Sequence, residues 1–307
     1  MRIGVDLGGT KIEAAALDGN DAIVARRRVA TPVDDYEATI GAIVALVEGL
    51  EADYDERGSV GAGIPGALSP ETGLVKNANS TCLIGHPLDR DLSEALKRPV
   101  RVANDANCFA LSEAIDGAAS GAVSVFGVIL GTGVGGGFVV DGELLAGAQA
   151  IAGEWGHNPM PGLLEEEWTD RRCYCGRLNC IETFLSGPAL AADHLRRGGD
   201  QLTTEEIAER ARAGDEGAGA SVRRHAERLA RALATVVNVV DPEVIVLGGG
   251  VSNIAALYEL VPPLLAEHVF SDTCQTKVVR AQHGDSSGVR GAAWLWRADE
   301  VESALTR

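Results

Sequence analysis

Three cysteines crowd into one short stretch, Cys173, Cys175 and Cys180, with His157 shortly before them. One imidazole and three thiols are the number and softness of donors that tetrahedral zinc takes. The Cys-x-Cys spacing is tighter than the usual Cys-x-x-Cys, and ordinary reduced cysteines are the alternative reading. Zinc is preferred because three thiols this close otherwise invite oxidation. A site with all four positions filled by protein is structural, and it would pin the loop that carries Glu154, His157 and Glu182. In Gly153-Glu154-Trp155-Gly156-His157, the acid and the imidazole are three apart, near enough to converge on one ligand.

A second set of residues suits phosphate. Asp6 precedes Gly8-Gly9-Thr10-Lys11 at the tip of an expected hairpin. Glycines let backbone N–H groups approach an anion, Thr10 and Lys11 add donors, and Asp6 can hold Mg²⁺ or its water. Gly131-Thr132-Gly133-Val134-Gly135-Gly136 formally matches a dinucleotide fingerprint, but that motif must open a helix. Here Gly137-Phe138-Val139-Val140 continues as a strand, so a second phosphate-facing hairpin is expected. Gly248-Gly249-Gly250 follows a buried strand and suits the base and ribose of a nucleotide, or equally a plain strand-to-helix turn. Asn104-Asp105 lies where a strand gives way to a helix. On local pattern alone Asp105 is a helix cap; beside three phosphate turns it becomes a candidate proton acceptor, with the Asn104 amide suited to sugar hydroxyls.

These residues need elements to hold them. The chain reads as two halves that begin alike: GVDLGGTKIEAAAL from Gly4 and GVILGTGVGGGFVV from Gly127, an internal duplication at domain scale. Strand and helix patterns alternate after each hairpin. Helices are expected over 36–50, 92–96, 106–115, 204–213, 218–239 and 254–268, the fourth opened by Thr203 or Thr204 ahead of Glu206, with strands over 60–64, 100–103 and 244–247. Such alternation means α/β architecture with a mostly parallel sheet, and two halves imply a ligand cleft between them. A small N-terminal domain over 1–118, joined by a returning helix over 288–307, and a larger domain over 119–287 carrying the cysteine loop are expected.

Composition narrows the classes. The 307 residues suffice for about two domains, with 46% hydrophobic and 23% charged residues, an ordinary globular balance. Forty-four acids against 27 bases, a net −17, repel nucleic-acid phosphate. No apolar run suits a membrane span, and MRIGVDLGG does not read as a signal peptide, so a cytoplasmic protein with reduced thiols is expected.

Taken together, these motifs resemble the ROK family of sugar kinases. The resemblance is carried by Asp6 to Lys11, Asn104 to Asn107, Gly131 to Gly135, Glu154 to His157, the cysteine cluster with Glu182, and Val246 to Gly250. It implies an actin-like (ribonuclease H-like) duplicated two-domain fold with ATP and a hexose in the cleft. It implies Asp105 as the catalytic base, and Asn79, Asn104, Glu154, His157 and Glu182 as hexose ligands, with His157 also a zinc ligand. The glycine turns with Asp6, Thr10, Lys11 and Thr132 would hold ATP and Mg²⁺, and the family suggests a homodimer. Asn179 stands where the family has glycine before the last cysteine; asparagine tolerates positive φ, so the turn should survive. The stretches 76–81, 153–158 and 283–294 most resemble fructokinases that also accept mannose. N-acetylglucosamine kinases are similar through 108–114 and the Gly131 turn but less so around Asn79, so fructose is expected, with N-acetylglucosamine or glucose kinases next. A non-catalytic sugar sensor is the reading from another class. The first strand starts at Arg2, which leaves no room for a DNA-binding helix-turn-helix, and the charge disfavours DNA.

Overall fold

The computed structural model describes residues 1–301 and 305, the side chains of Asp285 and Ala298 excepted. The chain forms two compact units, one of residues 1–113, 144–152 and 285–307, the other of 114–143 and 153–284. Short apolar runs broken by glycine make strands, and longer 3.6-periodic runs make helices, so each unit alternates them as its sequence dictates.

In the first unit β1 (Arg2–Leu7), β2 (Lys11–Leu17) and β3 (Ile23–Ala30) form an antiparallel meander. Helix α1 (Tyr36–Tyr54) then leads to β4 (Ser59–Ile64), and the small ladder of β5 (Ala67–Leu68) with β6 (Val75–Lys76) follows. Helix α2 (Leu88–Leu96), strand β7 (Val100–Asn104) and helix α3 (Asp105–Ile115) complete the run. The sheet order is β3-β2-β1-β4-β7, with β1, β4 and β7 parallel. Asp6 pairs with Gly63, and Ile64 with Asn104, so Asp6 and Asp105 come at the same end of their strands.

The second unit repeats the plan. Strand β8 (Ser124–Leu130) pairs antiparallel with β9 (Val134–Val140), and β10 (Glu143–Leu144) follows. Helices α4 (Glu182–Leu185), α5 (Gly187–Arg196), α6 (Thr204–Arg212) and α7 (Glu216–Val240) precede β11 (Val244–Gly248). Helix α8 (Leu257–His268) and β12 (Lys277–Arg280) end the unit. The order β10-β9-β8-β11-β12, with β8, β11 and β12 parallel, matches that of the first sheet. The duplication legible in the two hairpins is thus a duplication of strand order.

Boundaries differ from expectation where caps, not periodicity, decide them. Helix α6 begins behind a capping box of Thr203 with Glu206. Helix α8 starts at Leu257, not Ile254, because Gly250–Asn253 form a 3₁₀ turn first. Strands β3 and β12 and helix α5 were not expected: β3 is polar and exposed, and α5 opens on Gly187-Pro188, with the proline in its first turn. The returning C-terminal helix is α9 (Ser287–Ala293), followed by a 3₁₀ turn over Ala298–Glu300; residues 302–304, 306 and 307 of the expected stretch lie outside the described residues.

Helix α9 packs on β1 and α3 with no side chain between the backbones. A methyl group on Gly4 would overlap the Val289 carbonyl oxygen, and one on Gly291 would overlap that of Cys108. Gly291→Ala is therefore expected to destabilise the protein by about 1–3 kcal/mol or more, because the packed backbones cannot part. Urea unfolding with a native-like m-value but a lower midpoint would verify this.

Candidate functional site

In the second unit, the segment from Gly153 to Cys180 has almost no regular structure, and it carries most of the expected ligand residues. Its turns are set by short-range bonds. Asn179 takes φ 56°, as the turn before Cys180 requires. The Asn179 N–H donates to the Arg171 carbonyl at 2.8 Å, and its side-chain oxygen accepts from the Arg171 N–H at 3.3 Å. Trp155 is buried, and its indole N–H donates to the Gly135 carbonyl at 3.0 Å, fastening the segment to β9.

These turns bring the four candidate metal ligands together. One donor atom from each of His157, Cys173, Cys175 and Cys180 lies within 4.8 Å of every other. Cys173 Sγ is 3.5 Å from His157 Nδ1, and Cys175 Sγ is 3.6 Å from Cys180 Sγ. A tetrahedron with metal–ligand bonds of about 2.0–2.3 Å has edges of roughly 3.5–3.8 Å, and these two distances fall in that range. Burial and the neighbouring thiols hold the Cys180 thiol up at about 12.

Glu182, the first residue of α4, joins this cluster to the glycine hairpin. One carboxylate oxygen is 3.6 Å from Cys173 Sγ, and the other accepts from the Val134 N–H at 3.1 Å. A side chain on Gly133 would collide with that second oxygen, which is why glycine stands there. His157 is not open on its other side, as the sequence led us to expect. Its Nε2 lies 3.0 Å from the hydroxyl of Tyr174. Desolvation, then Glu182 and Glu154, hold the Tyr174 phenol up at about 12, so both carboxylates act on the phenol that meets His157. Tyr174 gave no sequence signal beyond its place between two cysteines.

A lattice of buried charge backs this loop. Glu167 meets Arg228 at 2.6 Å and Arg231 at 2.8 Å. Asp193 on α5 meets Arg228 at 3.1 Å, Arg171 at 3.4 Å, Arg196 at 3.2 Å and Arg224 at 3.2 Å. Arg171 also donates to the Thr183 carbonyl at 2.9 Å and stacks on Phe184 at 3.9 Å, under α4. Burial alone would raise both acids; Arg228 and Arg231 overcome it for Glu167, and Arg228 and Arg224 for Asp193, so both stay below the usual carboxylate range.

Two of the glycine turns border a cavity of about 420 Å³ in the same unit. Gly131 and Thr132 of the hairpin line it with Gly250 and Val251 after β11, Gly187 at the start of α5, and Thr203 to Glu205 at the start of α6. Gly187 donates to the Gly131 carbonyl at 2.8 Å, and Thr204 Oγ1 donates to the Gly187 carbonyl at 2.8 Å, so turn and helix starts form one rim. Gly135 and Gly136 lie beyond it within β9, and Gly248 ends β11. The contribution of α5 and α6 was not legible, since Thr203 and Glu206 signalled only a helix start.

In the first unit the Gly8–Lys11 hairpin is closed by Gly8 N–H to the Lys11 carbonyl at 3.0 Å and clamped by Thr31, which contacts Gly8 and Thr10. Gly9, Thr10 and Lys11 are exposed at the tip. Burial, then Glu13 across the ladder, raises the Asp6 carboxyl above its usual range, and Lys11 partly offsets this. Glu13 is 1% exposed and held by Arg28 at 2.6 Å and Arg26 at 3.5 Å. Asn104 takes the capping role on α3: its side-chain oxygen accepts from Ala106 N–H at 2.9 Å and Asn107 N–H at 3.4 Å. Asp105 Oδ1 accepts from Ala106 N–H at 2.8 Å, which orients the carboxylate at the helix start. Asn79 is exposed, before a 3₁₀ turn at Thr81–Leu83.

Known proteins share this plan. The model of the ROK family matches residues 2–299. The N-acetyl-D-glucosamine kinase of Citrobacter koseri is 41% identical over 97% of this chain and its own whole length. The ROK hexokinase of Thermus thermophilus superposes with a TM-score of 0.83 at 34% identity, over 95% of this chain and 96% of its own. A ROK family glucokinase from Streptomyces griseus, solved with glucose and AMPPNP, does so with a TM-score of 0.77 at 32% identity, over 96% and 98%.

The carboxylates of the lattice fix its pH response. A carboxyl whose folded pKa is depressed contributes stability above its unfolded pKa, about 4 for Asp and Glu, and loses it as pH falls through the folded value. Denaturant unfolding across pH 3–7 should show stability dropping below about pH 4. Glu167→Gln should cost about 3 kcal/mol at pH 7 by leaving buried arginine uncompensated, and flatten that acid slope.

Proposed function

This chain belongs to the ROK family, and on that footing we propose that it transfers the terminal phosphoryl group of ATP to a primary hydroxyl of N-acetyl-D-glucosamine. The observation that carries the reading is the end-to-end likeness to an N-acetyl-D-glucosamine kinase, together with the site motifs it would need. Fructose, expected from the stretches 76–81, 153–158 and 283–294, gives way on this ground: the full-length relatives carry the hexosamine name. Fructose and mannose stand second, and glucose is supported by the glucokinase likeness.

The roles follow from the chemistry of phosphoryl transfer, which is mostly positioning and electrostatics. Glu154, His157 and Glu182 bind hexose hydroxyls, with Asn79 and Asn104 as further ligands. The capping bonds on the Asn104 oxygen leave its Nδ2 group to donate. Asp105 accepts the proton of the attacking hydroxyl. The backbone N–H groups of the Gly8–Thr10 and Gly131–Gly133 turns hold the phosphates with Lys11 and Thr132. The cavity rimmed by Gly131, Gly187, Thr204 and Gly250 suits the base and ribose. Asp6, whose carboxyl is raised by its own burial and by Glu13, gains from a cation beside it, and Mg²⁺ there would offset the charge of the transferring group. Zn²⁺ at the four-donor cluster would be structural, with no water to activate, fixing His157 through Nδ1.

Two measurements test this. A coupled ADP-release screen over N-acetylglucosamine, glucose, mannose and fructose is expected to give the highest kcat/KM with N-acetylglucosamine, and Asp105→Asn should lower that kcat by about 10²–10⁴-fold or more. Sugar-independent turnover, or a near-normal Asp105→Asn enzyme, would overturn the assignment. Elemental analysis should find one zinc per chain, lost in Cys175→Ser together with hexose affinity more than nucleotide affinity; metal-free reduced protein with full affinity would remove zinc from the account.

A further inference from the structure

His157 is satisfied on both sides. Nδ1 faces Cys173 Sγ at 3.5 Å, and Nε2 lies 3.0 Å from the Tyr174 hydroxyl. The two rings meet edge to face, with centroids 5.1 Å apart and planes at 86°. Whichever atom carries the proton, Nε2 supports one good hydrogen bond, and Tyr174 takes it. Tyr174 stands between Cys173 and Cys175, so the thiol cluster anchors its backbone, yet 68% of its surface is exposed.

We propose that Tyr174 is an internal stand-in for a hexose hydroxyl: its phenol caps His157 Nε2 in the sugar-free protein and leaves when hexose binds. This rests on the hexose role proposed for His157. The exposed ring gives up little packing on leaving, and rotation about its Cα–Cβ bond moves the hydroxyl without shifting the thiols on either side. While in place, the phenol keeps the imidazole aligned. It also sets a threshold: a ligand must bring further hydroxyls, for Glu154 and Glu182, to displace it, so a simple alcohol is a poor competitor and a hexose a good one. Tyr174 is in this sense a specificity determinant.

The consequence is unusual in sign, because deleting a polar group strengthens binding. The hexose forms one hydrogen bond to Nε2 and breaks one, so the standing bond is subtracted from its affinity. A neutral hydrogen bond corresponds to about a two- to tenfold change in the dissociation constant.

Calorimetric titration of N-acetylglucosamine into purified protein without nucleotide tests this. Tyr174→Phe is expected to lower the Kd by about two- to tenfold, and Tyr174→Leu to shift it in the same direction. Sugar addition to the wild type should give a tyrosine difference-absorbance signal that Tyr174→Phe lacks. Metal analysis should find both variants as loaded with zinc as the wild type, which separates the effect from damage to the cluster. Wild-type binding with unchanged or weaker binding by both variants would overturn the inference and leave the kinase reading standing. A wild type that binds no hexose of the screen would overturn the kinase reading itself, and the role of Tyr174 with it.

Discussion

Arg228, 2% exposed, lies between two carboxylates, Glu167 from the irregular loop and Asp193 from α5. Much of the second unit depends on this arrangement. Burying a guanidinium costs several kcal/mol, and the pairing returns that only when the surrounding partners are complete. Arg231 pairs with Glu167, and Arg171 and Arg224 pair with Asp193, while Arg228 Nη2 and Arg231 Nε stay buried without a hydrogen-bond partner among the described residues, so the return is partial. A buried ionic lattice of this kind is a poor source of net stability compared with an apolar core, and its effect here is registry. It ties α7, α5 and the loop to one another at angles that hydrophobic packing alone would leave degenerate. His225 on the same helix is wholly buried, and desolvation and Arg228 push it down to about 4, so it adds no further positive charge at neutral pH. With the loop held, Cys173 and Cys180 are buried beside His157, and the four donors stand within 4.8 Å of one another from the protein's own bonding.

The first unit reaches rigidity by another route. Helix α9 touches β1 and α3 backbone to backbone at Gly4 and Gly291. Contact this close aligns the start of α9 against the end of β1, where Gly288 lies over the Asp6 carboxylate. Ser287 donates to the buried Glu113 at 2.8 Å, so α3 and α9 are bonded as well as packed. A segment from the C-terminus therefore fixes residues at the N-terminus.

The repeated hairpins, the parallel strands and the long helices were legible because each is a local pattern. The glycine turns and the convergence of the thiol–imidazole set were legible for the same reason: residue type and spacing within a few positions carry the pattern. What was hidden depends on partners distant in sequence. Glu165-Glu166-Glu167 reads as a solvated acidic run, and nothing local marks Glu167 as buried against Arg228 and Arg231. Glu13 sits inside an otherwise apolar run and nothing local marks its partners, Arg26 and Arg28 on β3, which pair with it where it is buried. The cavity rim needs α5 and α6 to meet the second hairpin, a tertiary fact with no signature in Gly187-Pro188. The choice of hexose lay beyond reach because short stretches matched fructokinases, while likeness over the whole chain favours hexosamine kinases.

The sheet also sets how two carboxylates of the first unit are spaced. Asp6 ends β1 and Asp105 follows β7, with β4 between them, so they stand roughly 10 Å apart, two strand spacings. The strand between offers Gly63, which has no side chain to fill the gap. Cys108 fills it from α3, its sulfur packed over Gly63. Burial, and then Asp6 and Asp105, push that thiol well above its usual range, so it remains neutral. A neutral, compact group here lets both acids face the strand ends without a third charge between them. An ionised residue there would place a third negative charge beside both acids, which is the charge that burial of the thiol avoids.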